Sequence, residues 1–207
     1  MNLPNRLTVA RIASIPLILA FMLPIPVGGG LFDFWNAFIA HYGMIFALFL
    51  FIAASVTDFL DGRIARRQGI VTNAGKLMDP IADKLLVISV LVALTQLGRL
   101  NAIIVIIILA REFLITGVRM LAVTHGQVVA ADKSGKIKTV FQMTAIILLL
   151  IQLSVSRLLS ATASISMIVT IETILHVAAD AFVILALAAT VLSGIRFLRS
   201  GRTFLRD

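Results

Sequence analysis

Asp58, Asp61, Asp79 and Asp83 fall within 26 residues of a 207-residue chain that has only ten acidic residues in all. Asp58 and Asp61 are spaced i, i+3 and share one helix face, while Asp79 and Asp83 are spaced i, i+4. A short connection makes consecutive helices neighbours, so the two pairs can face each other. Four carboxylates held together repel one another and take up protons unless a cation sits among them. All-oxygen ligation favours a hard ion, Mg2+ or Mn2+, over zinc, and no histidine or cysteine lies between residues 58 and 83. A single acid at a helix end commonly just meets water or caps an N-terminus. Four at this spacing, in a chain this poor in acids, point to a metal site.

Between the pairs lies Gly62-Arg63-Ile64-Ala65-Arg66-Arg67, followed by Thr72 and Gly75. Small residues let a ligand approach the backbone closely. Arg66 offers a planar fork matched to phosphate oxygens. A divalent metal, a glycine and an arginine together suggest a bound diphosphate, although the same arginines would also serve as cytoplasmic anchors of a membrane helix.

The elements that must position these residues are membrane helices. The chain is 60% hydrophobic and 14% charged, with a mean hydropathy of +1.07. A soluble domain is about 45–50% apolar and about 25% charged, so a soluble fold is excluded. The absence of cysteine excludes a disulfide scaffold, a thiolate metal site and a cysteine nucleophile. A span needs roughly 20 mostly apolar residues. Residues 7–26, 36–57, 81–97, 102–123, 139–155 and a last stretch ending near Ile195 meet or approach that length. The last run begins at Met167, and its first part, to His176, reads as interfacial. Asp79-Pro80 reads as the start of the third helix, an N-cap acid followed by proline in the first turn. No cleavage pattern follows the first stretch, so it reads as retained. The whole chain, 1–207, is expected to be one all-α integral membrane domain of six transmembrane helices with a short N-terminal juxtamembrane segment.

Basic residues orient it. Of 18 Lys and Arg, fourteen fall on one side of this arrangement, only Arg99 and Arg157 on the other, and Arg111 and Arg119 within the fourth span. Cytoplasmic loops collect Lys and Arg, so both termini and the connections near residues 62–75 and 124–138 are expected in the cytoplasm. The net charge of +8 is then explained by membrane orientation rather than by nucleic acid. The outer connections are bland, Gly28-Gly29-Gly30 reading as a flexible turn and residues 156–166 as small and polar.

The spacing Asp58-x2-Asp61-Gly62-x2-Ala65-Arg66-x8-Gly75-x3-Asp79-x3-Asp83 resembles, at all eight fixed positions, the signature of the CDP-alcohol phosphotransferases. Pro4-Asn5-Arg6-Leu7-Thr8 with Arg11 and Pro16 is similar to the bacterial phosphatidylglycerophosphate synthase branch of that family. So are Arg111-Glu112-Phe113 with Arg119, and Gly135-Lys136-Ile137-Lys138-Thr139 with Gln142. The resemblance covers about residues 2–145; the last third is similar in hydropathy alone.

The resemblance implies a six-helix membrane enzyme that transfers the phosphatidyl group of CDP-diacylglycerol to sn-glycerol 3-phosphate and releases CMP. It implies Asp58, Asp61, Asp79 and Asp83 as ligands of one or two Mg2+ or Mn2+ ions, with Asp83 also the general base. It assigns Gly62, Arg66 and Thr72, together with Asn5, Arg6, Leu7 and Thr8, to the CDP part of the donor. An anionic acceptor beside an anionic donor needs further cations, for which Arg119, Lys133, Lys136 and Lys138 are the candidates. A homodimer in the bacterial cytoplasmic membrane, with its site facing the cytoplasm, is expected. Arg111-Glu112 reads as a pairing across helices at least as readily as a substrate contact. Glu172, His176 and Asp180, at i, i+4 and i+8, read as an outer-side packing stripe. The signature does not separate glycerol 3-phosphate from serine, inositol phosphate or phosphatidylglycerol as acceptor, whereas Arg119 and residues 135–139 favour the first. A cation transporter would use the same acids, but transport sites usually lie near the bilayer midplane in repeated halves, and no repeat is visible. A non-enzymatic adaptor binding acidic headgroups would leave the aspartates unexplained.

Overall fold

A computed structural model describes residues 3–26, 30–68, 73–124, 133–159 and 165–200, with side chains described at 8–26, 30–57, 81–120, 135–159 and 169–199. All regular secondary structure among the described residues is helical: α1 (Leu3–Met22), α2 (Asp33–Phe38), a π-helical turn (Ile39–Gly43) that leads directly into α3 (Met44–Gln68), then α4 (Asn73–Gln96), α5 (Ala102–Thr124), α6 (Lys133–Leu159) and α7 (Ile165–Ser200). Three stretches, Asp33–Thr57, Gly135–Leu159 and Val169–Arg199, are long and apolar enough to cross a membrane. This composition and helix length are those of an integral membrane protein.

Several boundaries differ from the sequence reading. The chain enters α1 at Leu3, so the expected juxtamembrane segment is continuous with the first helix rather than separate from it. α4 begins at Asn73, which places Asp79-Pro80 inside the helix instead of at its start. α3 continues to Gln68, and most of the stretch from residue 62 to 75 is therefore helical, not loop. Asp58 lies ten residues from the end of α3, roughly 15 Å at about 1.5 Å per residue. Residues 167–176 are likewise continuous with α7, because no glycine or proline interrupts the chain between Ile165 and Ser193.

Packing places α1 against both α3 and α4, α6 against α3 and α7, and α5 against α7 and α4. The shared core contains Ile18, Met22, Met44, Phe51, Leu94, Ile146 and Leu150, none more than 2% exposed. Gly43 permits the closest approach. A Cβ there would stand 2.2 Å from the Phe21 carbonyl oxygen, so no larger residue fits while α1 keeps its place. The π turn ending at this glycine is held from α6 by Arg157, whose Nη1 donates to the Ile39 carbonyl at 2.9 Å. Asn36 clamps the preceding connection, accepting from the Ile25 amide at 2.9 Å and donating to its carbonyl at 3.1 Å.

Cross-helix polar contacts show that successive helices alternate in direction. Early α1 meets early α4 through Arg11 and Asp83, and late α5 meets late α7 through Arg119 and Phe197. At the opposite end Arg99, in the turn after α4, donates to Gln152 Oε1 on α6 at 2.5 Å and pairs with Asp180 Oδ1 on α7 at 2.9 Å. His176 Nδ1 lies 3.1 Å from Asp180 Oδ2, and Ser156 donates to Glu172 at 2.6 Å. The stripe on α7 thus ties helices together at the end away from the acidic cluster.

Candidate functional site

Asp83 stands on the third turn of α4, where a half-exposed carboxylate faces a cavity of about 360 Å³. Arg11 of α1 donates from Nη1 to Asp83 Oδ1 at 2.6 Å while its own side chain is only 2% exposed. Burial of the guanidinium against a carboxylate fixes the carboxylate's orientation, because breaking such a pair leaves a buried charge uncompensated. α1 therefore acts on the site from across the bundle.

A second cavity, about 250 Å³, adjoins the first and shares Lys84, Glu112, Arg119, Lys138 and Thr139 with it. These residues come from one end of α4, α5 and α6. Glu112 Oε1 accepts from Arg111 Nη1 at 2.8 Å and from Lys138 Nζ at 2.5 Å. Arg111 also reaches α7, donating from Nη2 to Ser193 Oγ at 2.7 Å. Lys84 donates to Thr116 Oγ1, and Thr116 in turn donates to the Glu112 carbonyl at 2.7 Å. Arg119 has a different footing. Its guanidinium lies 5.6 Å from the centre of the Phe197 ring, in a small apolar cluster with Ile115 and Val118, and its buried Nε has no hydrogen-bond partner.

The charge balance of the shared wall is uneven. Lys84, Arg119 and Lys138 on this shared wall, with Arg111 on the smaller cavity alone, are four cations, and Glu112 is the one carboxylate that pairs with any of them among the described residues. Placing cations together in a partly buried wall is unfavourable unless an anion completes the set. Chemically, such a set can accept an anionic ligand with several oxygens.

Of the residues singled out from sequence, Asp83, Arg119 and Lys138 line the larger cavity, and Lys136, Arg119 and Lys138 the smaller. Thr8 is buried on α1 and lines neither. Asp58, Asp61, Gly62 and Arg66 on α3, Asp79 on α4, Lys133 on α6, and Asn5, Arg6 and Leu7 on α1 lie on described helical backbone outside the described side chains; Thr72 lies outside the described residues. Lys84 and Glu112 line both cavities, whereas in sequence Lys84 is one of the fourteen orienting basic residues and Glu112 is open between helix pairing and substrate contact. The available signal was position. Glu112 is a lone acid in an apolar helix, a placement that marks intramembrane function by default.

Residues 1–192 match the profile of the CDP-alcohol phosphatidyltransferase family. The chain is 45% identical over 150 residues, 72% of its length and 77% of the relative's, to the CDP-diacylglycerol–glycerol-3-phosphate 3-phosphatidyltransferase of Bacillus subtilis (strain 168). It is 42% identical over 151 residues to the protein of that name from Rickettsia bellii (strain RML369-C), covering 72% of this chain and 75% of the other. A probable phosphatidylglycerophosphate synthase of Mycobacterium tuberculosis (strain ATCC 25618 / H37Rv) is 33% identical over 199 residues, 95% of this chain and 80% of that one.

Proposed function

The chain belongs to the CDP-alcohol phosphatidyltransferase family, and from that premise we propose that it transfers the phosphatidyl group of CDP-diacylglycerol to sn-glycerol 3-phosphate, giving phosphatidylglycerol phosphate and CMP. The observation that supports the acceptor is the cluster of Lys84, Arg119 and Lys138 lining the cavity with Asp83, and Arg111 the adjoining one, with Glu112 the one carboxylate paired to any of them among the described residues. Serine has no phosphate to complete that set. Relatives named for the glycerol 3-phosphate reaction support the same reading.

Asp83 takes the proton from the acceptor's primary hydroxyl as its oxygen attacks the phosphorus attached to diacylglycerol. The bond from that phosphorus to the CMP oxygen breaks, and CMP leaves. Arg11 keeps the Asp83 carboxylate turned toward the cavity. Arg119, Lys138 and Lys136, with Lys133 at the start of α6, hold the acceptor's phosphate. Gly62, Arg66 and Thr72, with Asn5, Arg6, Leu7 and Thr8 from α1, hold the CDP part of the donor. Asp58, Asp61, Asp79 and Asp83 are the residues to hold one or two Mg2+ or Mn2+ ions. A half-exposed carboxylate facing the cavity fits such an all-oxygen set. When bound, the metal neutralises the diphosphate and stabilises charge on the attacking and leaving oxygens.

Six membrane crossings in the bacterial inner membrane belong to the same reading, from the six apolar stretches and the family, and the distribution of Lys and Arg supports both termini in the cytoplasm. That topology opens the cationic cavities to the cytoplasm, where a water-soluble acceptor is available. Assembly as a homodimer belongs to the same reading. The test is formation of phosphatidylglycerol phosphate by purified protein from CDP-diacylglycerol and glycerol 3-phosphate with Mg2+. Product identified by mass and abolished by EDTA is expected. Product unaffected by EDTA would remove the metal, and CDP-diacylglycerol left unconsumed by folded protein would remove the reaction.

A further inference from the structure

The transfer chemistry leaves Glu112 without a task, yet it is the one acidic residue that lines both cavities among the described residues. We propose that Glu112 is a positioning residue that sets acceptor selectivity: its carboxylate is the resident counter-ion of Lys138 and Arg111, and a dianionic phosphate takes over those cations while a singly charged one does not. The proposal rests on the reading of these cavities as the acceptor site.

Three features converge on it. Both cations bond to the same oxygen, Oε1, at 2.5 and 2.8 Å, so one carboxylate gathers groups from α5 and α6 at a single point. The neighbouring Thr116 hydroxyl donates to the Glu112 backbone carbonyl and accepts from Lys84, which brings a third cation to the same turn of α5. Arg119, also shared by both cavities, has an aromatic ring and no carboxylate beside it among the described residues. A ligand entering this wall meets two cations already engaged and two awaiting an anion. A dianion satisfies the waiting pair and can still draw Lys138 and Arg111 from Glu112. A monoanion does not outweigh the repulsion of the carboxylate a few ångströms away.

A carboxylate that only cross-links α5 to α6 would make a different prediction, because its removal would weaken the fold without altering which anions bind. The experiment is thermal denaturation of the purified full-length protein, without donor, titrated with inorganic phosphate or dimethyl phosphate at constant ionic strength. Wild type is expected to be stabilised by phosphate and not by dimethyl phosphate. Glu112→Gln keeps the side-chain shape and removes the charge. Its melting temperature is expected to start lower, to rise further with phosphate at a half-saturating concentration about tenfold below wild type, and to respond to dimethyl phosphate as well. Glu112→Asp restores the wild-type preference. A Glu112→Gln variant that melts lower but keeps the wild-type phosphate titration and still ignores dimethyl phosphate would overturn the proposal and leave the acceptor site standing. Wild type indifferent to phosphate would instead overturn the acceptor reading of the cavities, and the proposal with it. If Glu112→Gln does not fold, wild type alone decides: equal stabilisation by the two anions refutes the selectivity, and stabilisation by phosphate alone supports it.

Discussion

Replacing Arg119 by glutamine separates ligand binding from folding, because of what surrounds that side chain. Arg119 pairs with no carboxylate among the described residues. Its contact is the Phe197 ring at 5.6 Å, and its Nε is already buried without a partner. Removing the guanidinium loses a cation–π contact of about 0.5–1 kcal/mol. It also relieves a buried donor of its missing bond, so the net change in stability is expected within about 1 kcal/mol of zero. Binding responds differently. A hydrogen bond to a charged group is worth about 1.5–3 kcal/mol, and losing about 2 kcal/mol raises KM for glycerol 3-phosphate roughly thirtyfold. KM for CDP-diacylglycerol should hold within a factor of about three, under 1 kcal/mol. Lys138→Gln is the control. It removes half of a largely buried ion pair with Glu112, which costs about 3–5 kcal/mol when fully buried and less here, where Glu112 is partly exposed. Steady-state CMP release at varied acceptor, with thermal melts of the same preparations, reads both quantities. Arg119→Gln with an unchanged acceptor KM, or with a melting temperature as low as that of Lys138→Gln, would refute the assignment.

Other positions carry equally specific expectations. Asp83→Asn should abolish turnover while CDP-diacylglycerol still binds, and near-normal rates would remove Asp83 as the base. Gly43→Ala puts a methyl group against the Phe21 carbonyl, at a point where backbone must move. It should cost about 1–3 kcal/mol in a denaturation assay, and unchanged stability would contradict the close approach of α1 to the π turn. Asp180→Asn weakens the tie to Arg99 at the far end of the bundle. It should lower the melting temperature and leave KM for both substrates unchanged, whereas a substrate effect would tie that end to the reaction.

The sequence was most informative where composition forces the outcome. So much apolar chain with so few charges dictates membrane helices, and all regular secondary structure among the described residues is helical. Helix boundaries were less legible. Asp79-Pro80 has the residue types of a helix start, yet α4 begins earlier, at Asn73, and only the folded chain shows it. The π turn at Ile39–Gly43 has no pattern of its own, because its requirement is the Phe21 carbonyl pressed against Gly43 from another helix. Of the cations that the family resemblance offers for an anionic acceptor, Arg119, Lys136 and Lys138 line the smaller cavity. Arg11 holding Asp83, and Lys84 reaching Thr116, could not be read from sequence, since both contacts join residues distant along the chain. For Arg111 and Glu112 the sequence leaves cross-helix pairing and substrate contact both open, and the bonds to Ser193 and Lys138 come only from the packing of α5 against α7 and α6.

The acceptor comparison bears most directly on the function. CMP release from CDP-diacylglycerol is measured with Mg2+ and, in turn, glycerol 3-phosphate, serine, inositol phosphate and phosphatidylglycerol. Release that is selective for glycerol 3-phosphate is the predicted result. Equal or faster release with serine would contradict it, because serine brings no phosphate to the cations that Lys84, Arg119 and Lys138 place beside Asp83.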